Sequence, residues 1–406
     1  MGTDATLLGF DEARARILAD VRRLSRERIP LGTAAGRVLA EDLVASRPLP
    51  PFDNSSMDGY AVATTDLDGA GPWQLAVRGE STAGAAAPTL EAASACRIFT
   101  GAPVPARADA VVMQEHAPRD GDAIRLAVRP RAGQHIRRAG EDIAKGVLAI
   151  PDGTRASAGT LALAAMLDRF ELVVARRPHV TILCTGDELR ARGDDARAAT
   201  IPESNSAPLS ALARQAASVV RIAPIARDDP SEATRAIEQA LEGTDVLLTV
   251  GGVSVGDHDV VRPALERAGV RLDFWRIAIK PGKPLAVGRK GATHILGLPR
   301  NPASAMVTFA LFGIPLLRAL QGDTRPIAQP LRVRLAASRS RSSDRLELVR
   351  ASLRHDGDVL AACVHENQAS GAATSLASSD GVAFVPAGGT AIDAGVFVDF
   401  VRWSDA

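Results

Sequence analysis

The sequence predicts a multi-domain α/β plus β protein: a central parallel α/β domain, an inserted mostly-β domain, a helical linker domain and a small C-terminal β-barrel-like domain. Three observations carry this reading. The chain has 406 residues, more than a single hydrophobic core of roughly 150 residues accommodates. Strand and helix signals alternate through 178–327, as in a parallel sheet covered on both faces. Short apolar runs broken by Gly, Pro and Asp fill 46–145 and 328–406, the texture of β modules.

The elements follow in chain order. Residues 1–45 and 146–177 form the helical linker. In the first piece Leu18, Val21 and Leu24 fall at helical spacing until Pro30 and Gly32 break it. In the second, Ser157 is a candidate cap before the apolar stretch 161–167, and a short strand follows at 171–174. The β-rich 46–145 then reads as an insertion between them. Within 178–327, strand 179–184 leads to a helix near 206–217 with Asn205 as candidate cap. Strand 219–223 precedes a helix starting near Pro230 and Ser231, and strand 245–250 precedes one near 259–268. Strands near 275–279 and 294–296 and a long helix from about 302 to 320 complete the series. Ligands of such sheets bind outside the carboxyl ends of the strands, which is where the unusual loops fall.

Composition narrows the function classes. With 48 basic and 47 acidic residues, no whole-chain field recruits nucleic acid or an anionic membrane. Aromatic residues make up 3%, too few for a base-stacking platform. Cys96, Cys184 and Cys363 are odd in number and far apart, which argues against a disulfide framework or a CxxC metal knuckle and suits a reducing, cytoplasmic setting. The start reaches acidic residues early, with no basic segment before an apolar core, so no signal peptide is expected. The apolar run 306–317 is too short to span a bilayer. The seven histidines show no HxxxH or HExxH pairing, so zinc is not expected. Lysine occurs only at 145, 280, 283 and 290. Two of the four therefore share the turn KPGKP, a place where a compact ammonium is favoured over a forked guanidinium.

Four loops carry candidate chemistry. At 251–259 the run GGVSVGDHD follows a strand. Its glycines, Gly251, Gly252 and Gly256, with Ser254, let backbone N–H groups approach an anion, and the next helix adds positive potential. It has neither the P-loop nor the GxGxxG spacing. Asp257 and Asp259 beside an anion suggest a divalent ion such as Mg²⁺; equally, Asp259 could serve only as a helix cap. The second loop, CTGDEL at 184–189, offers Asp187 and Glu188 for metal coordination or for holding a polar ring, or is a solvated turn. In the third, Pro281 and Gly282 aim Lys280 and Lys283 the same way, which suits a diphosphate or other oxyanion. The fourth is GLPRNP at 297–302, framed by Pro299 and Pro302. In the β module, PPFDNSSMDGYA at 50–61 and FTGAPVPARADAVVMQE at 99–115 are polar and rigid beyond what a plain turn needs, though turn chemistry alone could account for them.

These strings, with IRRAGEDI at 136–143, QASG at 368–371 and SLASSDGVAFVP at 375–386, resemble the molybdopterin molybdenumtransferase family (MoeA, and the E domain of gephyrin) in order over nearly the whole chain. The resemblance implies an elongated homodimer of four domains per chain, the third a molybdopterin-binding α/β domain. It implies that adenylylated molybdopterin and molybdate give molybdenum cofactor and AMP with Mg²⁺, and that the third domain of one chain faces the second domain of its partner. Carried over residue by residue are Asp58, Thr100, Arg137, Asp142, Glu188, Asp228, Asp259, Lys280, Lys283, Pro299, Pro302 and Ser370. Glu188, Asp228 and Asp259 are expected to hold metal and substrate, Lys280 and Lys283 to stabilise the anion, and Asp58, Thr100 and Asp142 to come from the partner chain. The glycine-loop residues and Arg276 are expected substrate contacts. The adenylyltransferase of the preceding step is a candidate docking partner, with nucleic acid and membrane excluded. The chain departs from the family at Arg300, usually Gly, at Arg276, often Lys, at Cys184, commonly Ser, and at Asp380, commonly Asn. Two other functions stay open at this point: a non-catalytic scaffold of the gephyrin type, and a related pterin or nucleotide pyrophosphate-cleaving enzyme.

Overall fold

The computed structural model describes residues 7–191, 193–195, 198–252, 260–341 and 344–406. Two compact units divide the chain. Asp42–Asp152 and Ala158–Phe170 form one, and the described residues up to Glu41, Gly153–Ser157 and Glu171–Ala406 form the other. The first unit is thus inserted in the sequence of the second.

The inserted unit is built on a six-stranded mixed sheet. Its order is Ala110–Met113, Gly59–Val62, Ser94–Ile98, Trp73–Ser81, Ala123–Leu126 and Arg119–Asp120. Alternate residues Tyr60, Val62, Leu75, Ala95, Ala110, Val112, Ile124 and Leu126 face one core, as the period of a strand requires. Gly59 is needed where it stands, because a Cβ there would run into the carbonyl of Val112 on the neighbouring strand.

In the other unit the N-terminal helix expected through Leu24 stops early. It spans Phe10–Leu18, and Arg26–Pro30 is a strand paired antiparallel with Glu171–Ala175. Helical spacing misled because Val21 and Leu24 bury against the large core without being helical. Five residues of backbone pairing satisfy Arg26–Pro30 instead. Helix Phe10–Leu18 and this two-stranded ladder belong to this unit, whereas helix Ala158–Met166 belongs to the inserted one.

The α/β domain has a six-stranded sheet in the order Val219–Ile222, His179–Cys184, Val246–Val250, Thr293–Leu298, Pro284–Lys290, Arg271–Arg276. The first four strands are parallel and the last two antiparallel. The sheet is thus mixed where a parallel one was expected. Strand Pro284–Lys290, absent from the sequence reading, forms a hairpin with Thr293–Leu298 around Gly291, whose φ of 59° suits the turn. Both faces are covered. Val180, Ile182, Val246, Leu248, Leu296 and Leu298 share a core with Leu209, Leu212 and the long helix Pro302–Leu320. Leu183, Leu247 and Ile295 meet Ile237, Val261 and Leu265 on the opposite face. Each fully buried Leu or Ile contributes about 1.5–3 kcal/mol.

Helix Pro302–Leu320 is long and apolar enough to cross a membrane, but 89% of its most apolar window is buried inside the protein; it is the core helix of this domain. It winds through a π-helical turn at Phe309–Gly313. The C-terminal region closes into a five-stranded barrel: Leu331–Leu335, Phe397–Arg402, Gly381–Val385, Leu346–Asp356 and Val359–Val364, the last pairing back to the first. Strand Ile279–Lys280 adds to it alongside Leu346–Glu347.

Candidate active site

Chain connections reverse direction at strand His179–Cys184: the path runs outward to Val219–Ile222, then back past it to Val246–Val250. This is a topological switch point, where a crevice opens beyond the carboxyl ends of the strands. Thr185 and Gly251 follow the two strands that flank it. Their backbones approach so closely that a Cβ on Gly251 would lie 2.6 Å from the Thr185 carbonyl and 3.6 Å from Arg300 Nε. Gly251, with φ 104°, is therefore required by space and by conformation.

Arg300 meets an acid from each of two loops at this crevice. Arg300 Nη1 is 2.9 Å from Glu188 Oε1, and its Nη2 is 3.7 Å from Asp228 Oδ2. The Arg300 backbone is anchored by Asn205 Nδ2, which donates to its carbonyl at 2.9 Å. Asn205 thus braces the loop rather than capping the helix Ser206–Gln215. Glu203 serves that end, accepting the N–H groups of Asn205 and Ser206. Arg300 has none of the positive φ that a Gly position would suggest, so the substitution carries no backbone strain. Asp228 Oδ1 and Thr185 Oγ1 are buried without hydrogen-bond partners among the described residues. Hard carboxylate oxygens, one of them unsatisfied, fit a Mg²⁺ ion that takes its remaining ligands from phosphate and water. No group of three or more His, Cys, Asp or Glu side chains converges among the described residues. Asp257, Asp259, Ser254 and Gly256 lie outside the described residues. Gly252 is half-buried against Val261.

Beyond Pro302 the same segment reaches a second site, where Ser304 borders a cavity of about 540 Å³ between the α/β domain and the barrel. Lys280, Lys283, Arg339 and Arg345 line it, with Glu347, Ser304 and Ser370. Glu347, only 4% exposed, is 3.1 Å from Arg339 Nη2 and 3.7 Å from Lys280 Nζ. Four cations against one carboxylate make the cavity an anion trap. Arg345 donates to the Ile279 carbonyl at 3.0 Å and so holds the lysine turn from the barrel side. Ser370 is set by a buried guanidinium: Arg350 donates to the carbonyls of Asn367 (3.1 Å) and Ala369 (2.9 Å) and to Ser375 Oγ (2.9 Å). Burial holds the Arg350 pKa below its ordinary value. The Ser370 carbonyl accepts the Ala303 N–H at the start of the long helix. Pro299 is buried and Pro302 begins that helix, so both prolines fix the loop, whereas Arg276 is exposed on the edge strand.

In the inserted unit, Asp58 and Thr100 form one device. The Thr100 N–H and hydroxyl donate to Asp58 Oδ1 at 2.7 and 2.8 Å. Those two bonds, then the Arg97 charge, hold the Asp58 carboxyl below its usual range. Arg97 stacks over Phe99 at 4.6 Å and Tyr60 at 5.2 Å and donates to the Gly59 carbonyl, bracing both motifs. Asp53 joins Arg138 at 2.6 Å and accepts the Ala139 N–H. Arg137 and Asp142 stand exposed on either side of that contact. Elsewhere, Cys184 Sγ donates to Glu203 at 3.3 Å and Asp380 accepts the Leu353 N–H at 2.7 Å. Serine and asparagine could make the same bonds, so neither departure disturbs the fold.

Arg339, Arg345, Glu347, Arg350, Ser304 and Arg97 were not singled out from the sequence. In an arginine-rich chain none carries a signal of its own. Only the pairing of Ile279–Lys280 with Leu346–Glu347 brings the barrel's arginines to the lysine turn.

An α/β sheet whose switch-point loops carry acids and whose adjoining cavity carries cations is the frame of an enzyme that handles a polyanion. Family models extend that class over the chain. One described as the MoeA N-terminal region (domain I and II) matches residues 8–167, a probable molybdopterin binding domain matches 181–319, and the MoeA C-terminal region (domain IV) matches 332–403. A protein from Mycobacterium tuberculosis named molybdopterin molybdenumtransferase 2 is 39% identical over 84% of this chain and 86% of its own length. A molybdopterin molybdenumtransferase of Synechococcus elongatus is 35% identical over 97% and 99%. The crystal structure of a molybdopterin biosynthesis MoeA protein from Pyrococcus horikoshii superposes with a TM-score of 0.83 at 27% identity, covering 98% of this chain and 100% of that one. The chain belongs to the molybdopterin molybdenumtransferase family, transferases of molybdenum cofactor biosynthesis.

Proposed function

We propose that this chain inserts molybdate into adenylylated molybdopterin and releases AMP in a Mg²⁺-dependent step. The observation that carries the reading is that one segment serves both charge clusters: Arg300 stands in the acidic crevice, and Ser304, in the helix that follows, lines the basic cavity. Glu188 and Asp228, with Asp259 from the adjoining glycine loop, would hold the Mg²⁺. When bound, the ion neutralises the diphosphate and the charge that develops as it is cleaved. The backbone of Gly251 and Gly252 approaches the same diphosphate, with Ser254 and Gly256 continuing that loop. Lys280 and Lys283 hold the molybdate oxyanion in the cationic cavity, and Arg339, Arg345 and Ser370 complete its donors. Buried Glu347 orients Lys280 and keeps the cation cluster from self-repulsion.

The working unit is proposed to be a homodimer of four-domain chains, with the boundaries 1–45 with 146–177, 46–145, 178–327 and 328–406, acting in the cytoplasm. Asp58, Thr100, Asp142 and Arg137 would then reach the site of the partner chain. The ionised, doubly bonded Asp58 supports this role, since its carboxylate is oriented yet open to a ligand. Sedimentation equilibrium at micromolar protein checks the stoichiometry, and a monomer would remove the shared site. The adenylyltransferase of the preceding step would dock where substrate is handed over.

The deciding experiment reconstitutes a cofactor-free molybdoenzyme with this protein, adenylylated molybdopterin, Mg²⁺ and micromolar molybdate. Enzyme activity together with stoichiometric AMP is expected. AMP without active molybdoenzyme would identify a pyrophosphate-cleaving enzyme instead, and no turnover of either product a scaffold.

A further inference from the structure

Arg300 places a positive charge against both acidic loops of the crevice. Its Nη1 bonds Glu188 Oε1 at 2.9 Å while its Nη2 faces Asp228 Oδ2 at 3.7 Å. A divalent cation held by Glu188 and Asp228 would draw on these same carboxylates. We infer that Arg300 is a tethered counter-ion that competes with the divalent cation and sets the concentration at which the metal enters. The inference rests on the assignment of Glu188 and Asp228 as metal ligands.

The anchoring of Arg300 suits that part. Its backbone is fixed between buried Pro299 and the helix that starts at Pro302, and Asn205 holds its carbonyl. Its side chain is 47% exposed, so the guanidinium can leave for solvent without moving the loop. Glu188 and Asp228 are 27% and 30% exposed, open enough to exchange one cation for another. With the arginine in place, one of the two negative charges is compensated before any ligand arrives, and the other is left for the cation. The unpartnered Asp228 Oδ1 remains for the ion that displaces it. Arginine is suited to this because it keeps its charge at any pH the enzyme meets. Arg300 is thus a positioning residue for the metal, not a group that reacts.

The test is Mn²⁺ binding to the substrate-free dialysed protein, followed by the electron paramagnetic resonance of free Mn²⁺. Wild type, Arg300→Gly, Arg300→Lys and Glu188→Gln are compared, each checked for folding by circular dichroism. Because the ion pairs are partly exposed, the gain on removing the competing charge is about tenfold. Arg300→Gly is therefore expected to bind Mn²⁺ about tenfold tighter than wild type, Arg300→Lys to restore weak binding, and Glu188→Gln to bind weakest. Equal or weaker affinity in Arg300→Gly, with Glu188→Gln still impaired, overturns the counter-ion role and leaves the metal assignment standing. Failure of every variant to bind Mn²⁺ overturns both. If Arg300→Gly does not fold, Arg300→Gln, which keeps most of the stem but not the charge, carries the same expectation and the same refutation.

Discussion

The acidic crevice and the basic cavity solve the same electrostatic problem in opposite ways. Each gathers like charges and places one opposite charge among them. In the crevice the odd charge is Arg300, nearly half exposed, between Glu188 and Asp228. In the cavity it is Glu347, 4% exposed, beside Lys280 and Arg339. An exposed counter-ion pays little desolvation and can be exchanged, whereas a buried one is part of the fold. The difference teaches that burial of the odd charge, not the number of charges, separates an exchangeable site from a permanent one.

Four variants break or sharpen this contrast. The largest effect is expected from Glu188→Ala, which should lower cofactor formation by a hundredfold to a thousandfold, about 2.7–4 kcal/mol of barrier. Urea unfolding of this variant should match wild type within about 0.5 kcal/mol, because the side chain is partly exposed; a large stability loss would make the crevice structural after all. Second is acid, which tests whether both clusters hang on one frame. His294 is 6% exposed on the strand that ends at Leu298. Burial, and then the Arg289 charge, push its imidazole from an ordinary 6.5 down to about 4. The fold keeps it neutral while the unfolded chain takes up a proton. Stability is therefore full above about pH 6.5 and falls as the pH drops toward 4, by roughly 3 kcal/mol. His294→Gln should flatten that slope in urea titrations at pH 7.5, 6 and 5; parallel slopes for variant and wild type would place the acid lability elsewhere.

The third variant, Glu347→Gln, should cost about 2 kcal/mol of stability, since it leaves partly buried cations without their carboxylate. A variant as stable as wild type in denaturant would show that Glu347 is as exchangeable as Arg300. The smallest effect is assigned to Lys280→Arg. A planar guanidinium replaces a point charge beside a small oxyanion, and about a tenfold loss of rate, ~1.4 kcal/mol, is expected. Lys290→Arg, at the exposed end of strand Pro284–Lys290 and outside the site, serves as control. Equal rates for Lys280→Arg and wild type at limiting and saturating molybdate would remove the need for a lysine there.

How legible these features were in the sequence followed from their range. The α/β alternation, the inserted β unit and the long helix from Pro302 could be read because apolar spacing and Pro or Gly punctuation are local signals. Strand Pro284–Lys290 escaped because an apolar run after two prolines looks like a loop until its hairpin partner is known. Glu188 stood out as a loop residue at a strand end, whereas Asp228 came only through the family resemblance. Their partner Arg300 was noticed only as a departure from a glycine, and its bonding depends on loops 112 and 72 residues earlier in the chain. The barrel's share of the cavity was invisible for the same reason. Arg339 and Arg345 acquire meaning only once Glu347 pairs in register with Lys280.

That register also bears on how such chains can be recombined. A closed barrel is an attractive cassette, since its own ladder needs no neighbour. Here the two-residue pairing of Ile279–Lys280 with Leu346–Glu347 ties the cassette to the lysine turn and its cavity. Exchanging the barrel between relatives exchanges the walls of the basic cavity with it, so a chimera keeps its acidic crevice from one parent and takes part of its cation cluster from the other.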